Sequence, residues 1–266
     1  MDHLSATTHE LESGTGQARH MRICTARIDA LDANASADAI IARAGTPTAV
    51  HLCNAYTLSI ASKEPMFAAL LDRGDLNLPD GMPLVWIARR LGIPLSGRAY
   101  GPDVMANVLD RGRALGLRHY LFGSSTNVLE SLTTRIEERW PGANIVGAES
   151  PPYRELTDTE AEAATKRISS TSPDVVWVGL GTPAQDRFVD RFRDRISAPL
   201  VAVGAAFDFH AGTKKQAPIP LQRVGLEWAW RLANEPRRLA GRYVLGNTRF
   251  IAANVRERPR LVAGDR

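Results

Sequence analysis

Apolar positions along this chain fall into two alternating kinds of run. Short, mainly apolar blocks stand at Thr48–Cys53, Leu76–Leu78, His119–Phe122, Asn144–Gly147, Val175–Val178 and Leu200–Val203. Between them lie longer stretches in which apolar residues recur every three or four positions: Ala37–Ala44, Tyr56–Ser62, Pro65–Arg73, Leu84–Leu91, Pro102–Leu115, Asn127–Trp140, Asp158–Ser170 and Ala184–Ile196. The first kind predicts strands buried on both faces, the second predicts amphipathic helices. From Arg118 the order is strand, helix, strand, helix, strand, helix, strand. That order predicts an α/β fold with a Rossmann-like, doubly wound, mostly parallel sheet. Arg22–Ile28 reads as an edge strand. Past Pro220 the pattern turns wholly helical, over Leu221–Leu232 and Arg237–Val255. The expected organisation is a disordered polar tail over 1–20, an α/β domain over 21–220 and a basic helical appendage over 221–266.

Composition sharpens this picture at its C-terminal end. The chain has 266 residues, 44% of them apolar, which suits one large α/β domain with an appendage. Its formal charge of +4 is unevenly spread, with nine arginines against three glutamates between Leu221 and Arg260. A basic segment of that kind calls for an anionic partner: a membrane, a phosphate or a nucleic acid. Cys24 and Cys53, the two cysteines, form no CxxC pair, which predicts free thiols in a reducing compartment and no zinc site. Met1–His20 lacks the apolar core of a signal peptide, and no run of about 18 apolar residues is present to span a membrane.

Four stretches carry candidate chemistry. Asn77-Leu78-Pro79-Asp80-Gly81-Met82-Pro83 ends a strand and opens a helix. Asp80 therefore stands where ligands meet an open α/β sheet, either as a general base or merely as the helix N-cap. Phe122-Gly123-Ser124-Ser125 offers a backbone approach and free helix N–H groups to an anion, or is an ordinary capped turn. Gly179-Leu180-Gly181-Thr182-Pro183-Ala184 has the G-x-G-x-x-A spacing of nucleotide-binding turns in the right strand–turn–helix setting, with Gln185 just beyond. A dinucleotide site should add an acidic residue at the end of the next strand, and the nearest is Asp208, past Gly204-Ala205-Ala206-Phe207, which argues against NAD. His210 beside it reads as structural. Two patterns are missing: an Asp-x-Asp pair for a divalent cation and a Walker A loop. A departing diphosphate would then be met by arginines, and Arg231, Arg237, Arg238 and Arg242 stand ready in the C-terminal segment.

Taken together, the motifs resemble the WecG/TagA/CpsF glycosyltransferases, family 26 of the glycosyltransferase classification. The similarity runs from about Arg22 to Phe250. It is carried by His51-Leu52-Cys53-Asn54, Leu78-Pro79-Asp80-Gly81, Tyr120-Leu121-Phe122-Gly123, the segment from Gly179 to Asp186, Gly204-Ala205-Ala206-Phe207-Asp208, Gly212-Thr213-Lys214-Lys215-Gln216-Ala217-Pro218 and Gly225-Leu226-Glu227-Trp228. The resemblance implies inverting transfer of a sugar, such as an N-acetylmannosamine, uronic acid or hexose unit, from a UDP-sugar to a polyprenyl-diphosphate-linked glycan. No metal, cofactor or nucleic acid is implied. The place implied is the inner face of the cytoplasmic membrane, with the basic C-terminus against its surface. Asp80 matches the family's general base, Asn54 a pocket asparagine, and Gln185 and Asp208 positions lining the nucleotide-sugar pocket. The C-terminal arginines fall in an appendage that closes over the site. Where some members carry a threonine two residues before the asparagine, this chain has Leu52, so their sugar specificity does not transfer. The competing readings are an NAD(P)-dependent oxidoreductase and a non-catalytic nucleotide-binding module recruited to membranes.

Overall fold

The computed structural model describes residues 20–262, apart from the side chains of Arg238, Arg242 and Tyr243. The elements are β1 (His20–Ile23), β2 (Ala26–Asp29), α1 (Ala33–Ile41), β3 (Thr48–Cys53), α2 (Ala55–Ala61), α3 (Pro65–Arg73), β4 (Leu76–Pro79), α4 (Met82–Arg90), α5 (Gly101–Gly112), β5 (Arg118–Gly123), α6 (Thr126–Arg139), β6 (Asn144–Glu149), α7 (Asp158–Ser170), β7 (Val175–Gly179), α8 (Ala184–Phe192), β8 (Pro199–Ala202), α9 (Ala206–His210), α10 (Ile219–Arg223), α11 (Glu227–Asn234), α12 (Pro236–Arg256) and β9 (Arg260–Val262). Six strands form one sheet in the order β4-β3-β8-β7-β5-β6, every neighbouring pair parallel. Leu52, Leu121, Trp177 and Val201 point to the face covered by α1, α5, α6 and α9. Phe122, Val176, Val178 and Leu200 point to the face covered by α7 and α8. With apolar contacts on both faces, the strands read in sequence as solid apolar blocks.

Connectivity fixes where a ligand can enter. The link after β5 runs through α6 to β6 on one side, and the link after β7 runs through α8 to β8 on the other. Since β5 and β7 are neighbours, these diverging links leave a crevice at their carboxyl ends, the topological switch point of an open α/β sheet.

Two parts of the chain depart from the expected organisation. Arg22–Ile28 is no edge strand of the main sheet. Cys24 and Thr25, at φ of +55° and +124°, turn it into the β1–β2 hairpin, which pairs with β9 in a separate antiparallel sheet. That hairpin covers the edge of β4 through side chains: Asp29 accepts from the Asn77 N–H at 2.6 Å, and Arg27 donates to the Asp75 carbonyl at 3.1 Å. A charged partner of this sort blunts an edge that would otherwise pair with another chain. The tail expected over 1–20 lies outside the described residues but for His20, which opens β1. The C-terminal segment is helical, but the single helix expected over Leu221–Leu232 is split around Gly225 (φ +74°) into α10 and α11, and the segment ends in the strand β9. It is also docked: Phe250 joins the cluster of the hairpin with α2, α3 and α4, and Leu239 is 1% exposed.

Candidate active site

A cleft of about 580 Å³ opens at the carboxyl edge of the sheet. The turns after β3, β4, β5, β7 and β8 all contribute to it, bringing Asn54, Asp80, Ser124, Ser125, Gly179, Gly181, Gln185 and Gly204 together. Tyr153 from the β6–α7 loop, Asp208 from α9, Lys214 and Arg231 from α11 complete its walls.

Asp80 is not a helix cap. The N-cap of α4 is Gly81, and no side chain caps that helix. Asp80 is half-buried, and its carboxylate instead accepts from the Gly101 N–H at 3.2 Å and from the Asn54 amide at 3.5 Å. Asn54 is the true cap nearby, its Oδ1 accepting from the Tyr56 and Thr57 N–H groups at the start of α2. Capping fixes the Asn54 rotamer and leaves its amide NH₂ turned toward Asp80. Burial pushes the Asp80 carboxyl up to about 6; the Arg98 charge opposes that rise and the Glu227 charge adds to it. A carboxylate tuned to that range is ionised at neutral pH yet basic enough to take a proton.

The opposite wall is backbone. Gly123 (φ +126°) lies so close to β7 that a Cβ there would sit 2.6 Å from the Gly179 carbonyl, a contact no side chain tolerates. The first turn of α6 follows, and Ser125 places no side chain on its free N–H groups. Ser125, Thr126 and Val128 of this turn line the cleft, where an anion would meet such donors. Gln185 is 3% exposed and serves as a brace: it accepts from the Gly181 N–H at 3.0 Å and donates to the Ala202 carbonyl at 3.3 Å. Both its polar ends are thus engaged within the protein. His210 Nε2–H donates to the Pro102 carbonyl at 2.9 Å, and its ring meets Trp140 edge-on.

The cationic side chains lining the cleft are Lys214 and Arg231. Lys214 pairs with Asp208 at 3.2 Å and reaches Glu235 at 3.9 Å. Arg237 is exposed on the first turn of α12 and does not line the cleft. The side chains of Arg238 and Arg242 lie outside the described residues. Among the described residues no group of three or more His, Cys, Asp or Glu side chains stands together as a metal site would require. Sequence reasoning missed Lys214 as a cleft residue, and it missed the trio Arg98, Tyr100 and Glu227 behind Asp80. Arg98 carries no local signal; Glu227 and Lys214 sit inside motifs whose individual side chains had no assigned task.

A parallel α/β sheet with glycine turns on one side of its switch-point cleft and a carboxylate raised by burial on the other makes a site suited to group transfer. The sequence profile described as "Glycosyl transferase WecG/TagA/CpsF family" matches residues 21–263, and the chain belongs to that family. It is a glycosyltransferase. It is similar to the N-acetylglucosaminyldiphosphoundecaprenol N-acetyl-beta-D-mannosaminyltransferase of Bacillus spizizenii, 31% identical over 73% of this chain and 73% of that one. The protein of the same name from Bacillus subtilis is 30% identical over 68% and 72% of the two chains. That from Staphylococcus aureus is 27% identical over 70% and 72%.

Proposed function

We propose that the protein transfers a sugar, with inversion and without a metal ion, from a UDP-sugar to a glycan carried on a polyprenyl diphosphate, a step in building a cell-surface polysaccharide. The observation that carries this reading is the Asp80 carboxylate, released from helix capping and gripped by the Gly101 N–H and the Asn54 amide at the cleft. Asp80 removes the proton from an acceptor hydroxyl as that oxygen attacks the anomeric carbon from the face opposite UDP. One displacement forms the glycosidic bond, breaks the bond to the diphosphate and inverts the centre. The leaving diphosphate gains negative charge, which Lys214, Arg231 and the open N–H groups of α6 neutralise. The relatives' names, all N-acetylmannosaminyltransferases acting on N-acetylglucosaminyl-diphosphoundecaprenol, support N-acetylmannosamine as the donor sugar and that lipid as the acceptor. Leu52, which lines the cleft, keeps the hexose and uronic acid donors in contention.

The acceptor's lipid puts the reaction at a membrane surface. No helix among the described residues is long and apolar enough to cross one. The outward face of α12 exposes Val244, Leu245, Ile251 and Val255 beside exposed Arg249 and Arg256, which suits peripheral contact with an anionic leaflet on the cytoplasmic side. Arg237, Arg238 and Arg242 on the same helix serve the membrane surface and, once the segment folds over the site, the leaving diphosphate. The test combines a stability panel with turnover. UDP stabilises the protein and NAD and ADP do not; at 100 times its dissociation constant a ligand adds about 2.7 kcal/mol. Transfer from UDP-N-acetylmannosamine to an N-acetylglucosaminyl diphospholipid persists in EDTA. Stabilisation by NAD alone, or a strict need for Mg²⁺ or Mn²⁺, overturns the proposal in whole or in its metal-independent part.

A further inference from the structure

Behind Asp80 stands a buried polar cluster that the transfer chemistry above does not use. Arg98 lies in the segment between α4 and α5 and Glu227 opens α11, far away in sequence; their side chains form an ion pair and are 14% and 10% exposed. The same guanidinium donates to Gln222 of α10 at 3.1 Å and lies 3.8 Å over the Tyr100 ring. The Tyr100 hydroxyl donates to the other oxygen of Glu227 at 3.2 Å. Glu227 thus holds two residues of the short segment 98–101, and the next residue in that segment, Gly101, gives Asp80 its N–H. Gly101 itself is wedged under β8: a Cβ there would meet the Val203 carbonyl at 3.0 Å.

We propose that Glu227 is a positioning residue for the transfer: from the C-terminal segment it holds Arg98 and Tyr100, and through them the Gly101 N–H that grips the base. This rests on Asp80 being the base. A buried ion pair adds little to stability on its own, since removing two charges from water offsets most of their attraction. What it supplies here is a fixed charge at a fixed place. Arg98 faces both Asp80 and Glu227, so its charge is shared between two carboxylates. Glu227 therefore limits how far Arg98 acidifies the base. The other titratable groups facing this set are Cys53 of β3, which looks onto Asp80 and is kept neutral by burial, and Asp103 of α5, which faces Arg98 and Glu227. Tyr100 is kept neutral by burial and by the Glu227 charge.

The experiment is a titration of the Asp80 carboxyl by NMR on protein labelled with ¹³C-aspartate, assigned with Asp80→Asn. Glu227→Gln keeps hydrogen-bonding atoms but removes the charge, and it lowers the Asp80 midpoint by about one pH unit, the scale on which a neighbouring charge moves a carboxylate. Arg98→Gln breaks the pair from the other side and raises the midpoint. A midpoint unmoved in folded Glu227→Gln protein overturns the proposal. If that variant fails to fold, an unmoved midpoint in Arg98→Gln does so. In the transfer assay Glu227→Gln lowers kcat, shifts the acid limb of its pH profile down and leaves the donor KM close to wild type; a merely structural residue scales activity without shifting the limb. The titration needs no substrate, so its failure is separable from failure of the transfer reading, which shows as absent turnover in wild-type protein.

Discussion

The two walls of the cleft are made in opposite ways. The glycine wall uses the ends of β5, β7 and β8, where backbone meets backbone and the Gln185 side chain serves as a brace. The carboxylate wall uses Asp80, Asn54 and Gly101, backed by side chains from α10 and α11 more than a hundred residues further on. One wall is local and rigid, and under the proposed function it lets a phosphate approach. The other is assembled from distant parts, and its purpose is to set the charge of one group. Shape is the business of the first wall and proton affinity that of the second.

Breaking the second wall has the larger effect on rate. Asp80→Asn lowers turnover by about 10² to 10⁴, the range for loss of a general base, with UDP still bound. Steady-state kinetics beside UDP thermal shifts check this; lost UDP binding or unchanged turnover contradicts the division between the walls. Breaking the first wall acts on fold and donor affinity together. Gly123→Ala forces a Cβ to 2.6 Å from the Gly179 backbone at a positive φ, and is expected to cost about 2–4 kcal/mol in urea denaturation. Lys214→Ala leaves the protein folded and weakens UDP binding about tenfold to a hundredfold, as expected for one lost charge-assisted hydrogen bond; isothermal titration reads it.

Two smaller effects sharpen the comparison through pH. Asp80 must be ionised to act, so kcat rises as pH increases through about 6 and levels off above it. The same raised midpoint makes the ionised carboxylate slightly unfavourable to folding. A folded pKa above the unfolded one means stability is gained as pH falls through about 6 and lost as it rises. Asp80→Asn therefore stabilises the protein at pH 8 by on the order of 1 kcal/mol, after allowing for solvent on the open side, and has no such benefit near pH 4. Chemical denaturation at the two pH values measures the difference.

How far each wall was legible follows from its construction. Strands buried on both faces announce themselves as apolar blocks, and α7 begins and ends where its pattern places it, with a Thr157 capping box at its start in the structure. The turns that carry Gly123, Gly181 and Asp80 were legible because turn chemistry is written within a few residues; Asp80 and Gly181 line the cleft, while Gly123 packs against Gly179 beside it. The role of Gln185 as a brace was not, because the groups it satisfies belong to a neighbouring strand. Arg98 and Glu227 were invisible for a stronger reason: nothing near either residue says that they meet. The same holds for β9, whose Arg260-Leu261-Val262 is too short to show alternation and gains its identity only from β1.

That last pairing has a consequence for the chain as a whole. His20 faces Val262, so the described residues begin and finish on neighbouring strands of one small sheet, with Cys24 further fastened by the Asn254 amide and Phe250 filling the space beneath the hairpin. Removing either β1 or β9 leaves the other strand without this partner. A chain stopped after Pro220 loses the partner of β1, the plug of its hairpin and the Glu227 contacts together.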